Sequence, residues 1–524
     1  MTDADTILAA LAADPANLVF NRGIEREGLR VDPQGNLSRA PHPAAFGSKL
    51  THPSITTDFS EAQPELITPV RTSVAEMLDI LTEIHQVVHH GLDDEVLWAA
   101  SMPCVLASDH NIPLAQYGTS NLGRLKTTYR NGLGHRYGRA MQTICAVHYN
   151  FSFGDAFWQV LADREGGNAD DSTWRSARYF DLMRNFRRLS WLPIYLFGAS
   201  PAVCNSFVRG REHNLERFDE GSLYAPGATS LRCGKLGYQS DTQGSMIHVC
   251  FNSLDNYVAT LAEAICTPYD EYVKIGRIRG DEFVQVNDSV LQSEAEFYTT
   301  IRAKCVPPKG ANFLKVLKER GVEYLEIRLL DVNPYLPLGI DSTEIHFLDM
   351  LLLHCLLADS PQLDEVECNT ANVNIQQVVY GGREPATGLD DNGAARSVSE
   401  WGLDVIRAIS PLATMLDGVR GGAEYSESLA EQEDKLNNPD ATPSARVLAD
   451  MQAESVPFFR FAMNKAIDHQ RYFRELPLPA ERLAWFAEVA AQSVADQKKI
   501  EDSDTISFER YLERLNAEYR ELLR

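Results

Sequence analysis

Basic residues are scarce. The 524-residue sequence holds 49 lysines and arginines against 73 aspartates and glutamates, a formal net charge of -24. Such a charge repels phosphate backbones and anionic lipid surfaces, so no nucleic-acid or membrane partner is expected. Long apolar runs are also lacking. The most apolar, FLDMLLLHCLLAD at 347–359, is shorter than the roughly 20 residues a spanning helix needs. The opening MTDADTILAALAADP lacks the cationic region of a secretory signal, so a cytoplasmic location is expected. The nine cysteines include no CxxC pair, and their odd number suits reduced thiols better than a disulfide framework or a zinc site. Internal repeats and low-complexity segments are absent as well.

Familiar motifs fail on inspection. GTSNLGRL has the glycine spacing of a phosphate-binding loop, but Arg124-Leu125 stands where Lys-Ser/Thr is needed. GLGHRYG misses the dinucleotide pattern by one residue. His85 and His89 lie one helical turn apart without a third zinc ligand, and they are expected as a surface pair. Asn150-Phe151-Ser152 is a glycosylation sequon with no meaning in a cytosol.

What is present is a mixture of helical and strand patterns. TSVAEMLDILTEIHQVVHHG has Ser73 and Glu76 as a capping pair, an apolar helical stripe and Gly91 as its stop. Long helices are expected at SWLPIYLFGAS and TEIHFLDMLLLHCLLADS, and strands at PELITPV, MQTICAVHYNFSF and VEYLEIRLLDV. VVYGGREPATGLDDNGAARSV reads as a polar loop. From about residue 444 to 524 the pattern is helical and charged, as in helices wrapped around a core. Strands and helices do not alternate regularly, which argues against a doubly wound parallel sheet.

The strands carry the functional signal. In NRGIEREGLRV, period-two alternation puts Glu25 and Glu27 on one face, about 7 Å apart, with Arg22, Ile24 and Arg26 on the other. Buried like charges take up protons unless a cation lies between them. Asp58 and Glu65 fall in TTDFSEAQPELITPV, and Gln142, His148 and Asn150 share a face of the MQTICAVHYNFSF strand. Tyr324, Glu326 and Arg328 share a face of VEYLEIRLLDV. These faces hold glutamate, histidine and arginine where an ordinary solvated face would carry lysine and threonine. If they converge, they form an oxygen-rich cage with one imidazole. Such a cage suits Mg²⁺, with Mn²⁺ possible, and polyphosphate chemistry needs that cage with an arginine beside it.

The ordered segments RGIEREGLRV, THPSITTDFSEAQPELITPV, SMPC, AQYGTSNLGRLKTTYRNGL, RYGRAMQTICAVHYNFS, YLFGASPA, ATSLRCGKLGY and VEYLEIRLLDVNP resemble the proteobacterial-type glutamate–cysteine ligases. The likeness runs from about Leu18 to beyond Pro334 and weakens through NPDATPSARVL. It implies an α+β fold like glutamine synthetase: a curved antiparallel sheet forming a funnel-shaped active site, wrapped by helices, in one catalytic domain over 1–524. It also implies ATP-dependent joining of the L-glutamate γ-carboxylate to the L-cysteine amine, the first step of glutathione synthesis, by a monomer. At matching positions the resemblance makes Glu25, Glu27, Asp58, Glu65, His148 and Glu326 metal ligands. It makes Arg328 and Arg232 catalytic, and places Phe59, Tyr129, Leu133, Gln142, Arg232, Tyr238 and Tyr298 around the substrates. The partner of Cys104 in a family disulfide is not evident, because WQVLADREGGN has no cysteine. A ligase of the same fold with another amine acceptor, or a metal-dependent phosphohydrolase, are the alternatives.

Overall fold

The computed structural model describes residues 3–237, 241–247, 249 and 251–524. Its centre is a six-stranded sheet built from β1 (Phe20–Glu27), β2 (Ile55–Thr57), β3 (Pro64–Ile67), β4 (Val147–Phe153), β5 (Ile301–Lys304) and β6 (Tyr324–Leu330). The spatial order is β5-β6-β4-β1-β3-β2, and every pairing is antiparallel. The expected α+β class, an antiparallel sheet with helices around it, is what the chain forms.

Helices cover the sheet: α1 (Val74–Gly91), α2 (Asn121–Tyr137), α3 (Ser172–Leu189), α4 (Trp191–Phe197), α5 (Ser342–Leu357) and α6 (Glu365–Gly381). Beyond them α7 (Pro443–Ala453), α8 (Phe458–Glu475), α9 (Ala480–Ser503) and α10 (Phe508–Glu521) form the helical C-terminal part. Among the described residues no helix is long and apolar enough to cross a membrane. The apolar run at 347–359 is explained by α5, which packs against α3 and is buried almost all round. A helix covered on every side has no need of a polar stripe.

The back of the sheet is a core with one deliberate polar cluster. Arg22 of β1 pairs with Asp349 of α5 at 2.5 Å, with both side chains fully buried. Tyr149 of β4 donates its hydroxyl hydrogen to Asp349 at 2.7 Å, and Tyr425 does so at 3.2 Å. A buried ion pair holds only when its remaining hydrogen-bonding capacity is met. These partners meet it, and they tie α5 to β1 and β4.

Several expected elements differ. The strand expected over MQTICAVHYNFSF begins only at Val147, because Met141–Thr143 forms a 3-10 turn that takes Gln142 off the strand. SWLPIYLFGAS yields a helix of only seven residues, α4. The expected polar loop contains a hairpin, Gly388–Asp391 paired with Ala394–Ser397. Its two-residue turn is Asn392-Gly393, with φ of 53° and 86°. Those positive values match the Asn-Gly preference of hairpin turns, so the signal was present within a polar stretch.

The expected surface pair His85 and His89 is instead buried, at 0% and 1% exposure. Both imidazoles lie nearly parallel to the Phe473 ring of α8, with centroids 4.8 and 4.9 Å away. Burial, then the charges of Arg26 and His469, push His89 down to about 3. His85 is pushed well below its usual value by burial and the same two neighbours together with His89. A histidine held neutral in the fold but free to protonate when unfolded favours the unfolded chain as pH falls. Its stability contribution is therefore complete above the unfolded value near 6.5 and declines as pH drops toward the folded value. His89→Phe, which keeps a ring in the stack, should shrink the stability lost between pH 7 and pH 5 by about 2 kcal/mol. Urea unfolding at both pH values measures this, and an unchanged difference would reject the assignment.

Candidate active site

Strand register does what sequence spacing could not. Glu25 lies opposite His148, Glu27 opposite Glu65, and Glu326 opposite Asn150. Four adjacent strands thus bring acid and imidazole groups onto one face. Ligand atoms of Glu25, Glu65 and His148 all fall within 4.8 Å of one another. His148 Nδ1 is 3.3 Å from Glu25 and 3.6 Å from Glu326, while Nε2 is 3.5 Å from Glu27. Asn150 donates to Glu25 at 2.8 Å, and the Ala146 amide donates to Glu27 at 2.8 Å. Asp58 is anchored through its backbone carbonyl, which accepts from Tyr117 at 3.1 Å and from Arg130.

The site divides electrostatically into two halves. Burial opposes the charge on Glu326, but Arg328, Lys304 and Arg302 hold its carboxyl well below the usual range. Glu25 is also lowered: burial works against its charge most strongly, but a hydrogen bond with His148 and the charges of His148 and Lys304 together outweigh it. Burial and Asp58 push Glu27 up to about 8, with nothing nearby strong enough to reverse it. Glu65 is raised well above its usual value by burial and by Glu25, Asp58 and Glu27. The protein supplies cations beside Glu326, yet too little positive charge beside Glu27, Asp58 and Glu65. Carboxylates and one imidazole at such spacing fit a divalent cation of the Mg²⁺ or Mn²⁺ kind.

Arg328 donates to Glu326 at 2.6 Å and lies 3.4 Å from His148 Nδ1. The β6–β4 register slips between Ile327 and Leu330. Such a bulge re-aims side chains, and here the neighbours Arg328 and Leu329 both line the same cavity. Arg232, on the turn Leu231–Cys233, donates to the Arg328 carbonyl and sits 3.9 Å from Asp331. Asp331 is itself held by the Ser230 hydroxyl at 2.8 Å and the Ala199 amide at 2.9 Å.

A cavity of about 710 Å³ opens beside these groups, lined at one end by His148, Arg232, Tyr298 and Arg328. Gln142 donates to the Tyr298 hydroxyl at 3.0 Å. The Tyr298 amide donates to Gln243 at 2.9 Å. Tyr129 and Leu133 come from α2. Phe59 and Leu133 are buried in the core at 1% and 6% exposure and, like Tyr129 and Gln142, do not line this cavity. Tyr238 lies outside the described residues. Two neighbours escaped the sequence reading. Lys304 pairs with Glu326 at 3.4 Å from the next strand, and Gln243 joins Tyr298 to Tyr137. Strand alternation in IRAK could have indicated the first; nothing local marks the second.

An acidic sheet face, arginines beside it and a cavity alongside suit an enzyme of metal-assisted phosphoryl transfer, the chemistry on which ATP-dependent ligases draw. The comparisons make the class particular. The family described as Glutamate-cysteine ligase matches residues 8–378, and the chain belongs to that family. It is similar to the glutamate–cysteine ligase of Alcanivorax borkumensis, 47% identical over 514 residues, covering 97% of this chain and 98% of the relative. It is also similar to that of Pseudomonas entomophila, 46% identical over 490 residues, covering 94% and 92%. The crystal structure of the Francisella tularensis glutamate–cysteine ligase in complex with AMP has a TM-score of 0.90 and 32% identity, covering 96% of this chain and 99% of that one. A bifunctional glutathione synthetase from Pasteurella multocida shares the fold, with a TM-score of 0.73 and 24% identity over 94% of this chain and 58% of its own.

Proposed function

We propose that the chain joins the γ-carboxylate of L-glutamate to the amine of L-cysteine at the expense of ATP, with divalent cations on the acidic sheet face. The observation that carries this reading is the convergence of Glu25, Glu65 and His148 within 4.8 Å beside Arg328 and the cavity. Glu25, Glu27, Asp58, Glu65, His148 and Glu326 would hold Mg²⁺, or Mn²⁺ in its place. When bound, such ions neutralise phosphate oxygens that would otherwise repel an attacking carboxylate.

The γ-carboxylate oxygen attacks the γ-phosphorus, ADP leaves, and an acyl phosphate results. The cysteine amine then attacks the acyl carbon, loses a proton and expels phosphate. Arg328, fixed by Glu326, places its guanidinium on the phosphoryl group in transfer, where charge spreads over the oxygens. Arg232, anchored beside Asp331, holds a substrate carboxylate within the cavity. Burial raises the Cys233 thiol above its usual range, and Arg232 only partly offsets this. That favours no protein nucleophile, and none is required.

Phe59, Tyr129, Leu133, Gln142, Tyr238 and Tyr298 form the cysteine pocket in this reading. An aromatic lining suits a polarizable thiol, while a serine hydroxyl would lose water without a strong partner. Discrimination by one methylene is worth about 1–3 kcal/mol, so 2-aminobutyrate should remain a substrate and serine should be poor. Tyr298→Ala should raise the cysteine KM about tenfold, on the order of 1.4 kcal/mol, and leave the glutamate KM within about twofold. The deciding experiment is ADP release. It should require glutamate and cysteine together; phosphate release at full rate without an amine would favour the phosphohydrolase, and equal use of other amines a different ligase.

A further inference from the structure

The cations beside Glu326 are not held equally. On the edge strand β5, Arg302 lies opposite Glu326 and Lys304 opposite Tyr324, so alternation puts both on the acidic face. Arg302 is tied back, donating to the Ala295 and Phe297 carbonyls at 2.8 and 2.6 Å. Arg328 donates to Oε1 of Glu326 at 2.6 Å. The other oxygen, Oε2, is buried and has no hydrogen-bond partner. The Lys304 ammonium stands 3.4 Å from it, an ion pair without a hydrogen bond. In that pair the glutamate side chain is 2% exposed and the lysine 25%, so the lysine lies on the solvent side. Its Nζ is also 5.8 Å from the centre of the Phe313 ring, a second seat for a cation.

A divalent ion bound to Oε2 would need direct contact at about 2 Å. An ammonium at its present place would then repel it strongly, so the two exclude each other. Of the cations on Glu326, Lys304 is the one able to yield. Its compact charge rides on a flexible four-carbon stem, whereas Arg328 is locked by a short hydrogen bond. We propose that Lys304 is a resident stand-in for a divalent ion at Glu326: it occupies the free carboxylate oxygen, and metal reaches that oxygen only by displacing it. This rests on the acidic face being the metal site of the proposed ligase. Breaking the pair costs the incoming ion affinity, so the free protein holds metal more weakly at Glu326 than around Glu25, Glu65 and His148. A partner for the displaced ammonium lifts that cost. Phosphate oxygens are such a partner, which couples metal at Glu326 to a bound polyphosphate.

The sign of one substitution tests this. Mn²⁺ alone is titrated into the full-length protein without nucleotide, and electron paramagnetic resonance reads the free ion, so no turnover is needed. Lys304→Met keeps the stem and removes the charge. At the same free Mn²⁺ it should hold one more ion per chain than wild type, with at least tenfold tighter affinity for that ion. Lys304→Arg, which keeps the charge, should match wild type. Lys304→Met combined with Glu326→Gln should lose the extra ion, which assigns it to that carboxylate. A lysine that only supported the fold would leave Mn²⁺ binding unchanged or weaken it. Either result in folded Lys304→Met would overturn the proposal, as would an extra ion that survives Glu326→Gln. Lys304→Gln gives the same reading if Lys304→Met does not fold. Wild type that binds Mn²⁺ beside a variant that gains none defeats this proposal alone. Failure of wild type and variant alike to bind Mn²⁺ defeats the metal reading of the acidic face together with it.

Discussion

Glu27→Gln should lower turnover by about a thousandfold while leaving the fold intact, the largest effect expected at this site. Glu27 faces Glu65 directly across β1 and β3, and the Ala146 amide already occupies one of its oxygens. The substitution keeps shape and that hydrogen bond but removes an anion from the half of the site that has too little positive charge. The free protein should be no less stable, since the burial and repulsion that push Glu27 up to about 8 do not act on a neutral amide. The loss should appear in metal affinity and in the barrier to phosphoryl transfer, where an unscreened charge is felt most. Mn²⁺ binding followed by electron paramagnetic resonance gives a readout independent of turnover and should weaken at least tenfold. Near-normal activity at limiting Mg²⁺, or wild-type Mn²⁺ affinity, would remove Glu27 from the ligand set.

Arg328→Ala should lower kcat by roughly a hundredfold or more, with a smaller change in the ATP KM. The guanidinium is held against Glu326 at 2.6 Å and opens onto the cavity beside His148. Its charge therefore needs no reorganisation when the phosphoryl group moves. A group that binds equally in the ground and transition states would raise KM alone. Arg328→Lys should recover only part of the rate, because an ammonium lacks the planar fork that could contact Glu326 and a phosphoryl oxygen together. A raised ATP KM with unchanged kcat would make Arg328 a binding group instead. The two variants can be told apart by metal titration: excess Mg²⁺ should partly restore Glu27→Gln and leave Arg328→Ala where it is.

Alternation in a strand is a local property, so Glu25 with Glu27, and Glu326 with Arg328, could be paired from residues alone. The bulge after Ile327 was not legible, because a slip in pairing depends on the neighbouring strand. His85 and His89 show the same limit. Their spacing on α1 was correct, but whether that face meets water or Phe473 of α8, nearly 400 residues later, is not written in the spacing. Gln142 was placed on a strand that starts five residues after it. It nevertheless meets Tyr298, because a 3-10 turn and a loop converge there.

What the sequence determined by itself was the chemistry available: an acidic chain, carboxylates alternating on strands, one imidazole among them, and ordered segments that resemble a known ligase family. Side-chain period and residue type follow from covalent geometry and composition, which need no partner. Only the tertiary structure decided which half of the acidic face has its own cations and which calls for an added one. It likewise decided that Arg232 and Arg328, from segments distant in sequence, line one cavity. Charge balance and hydrogen-bond satisfaction depend on distances between segments far apart in the chain, and register and helix packing set those distances.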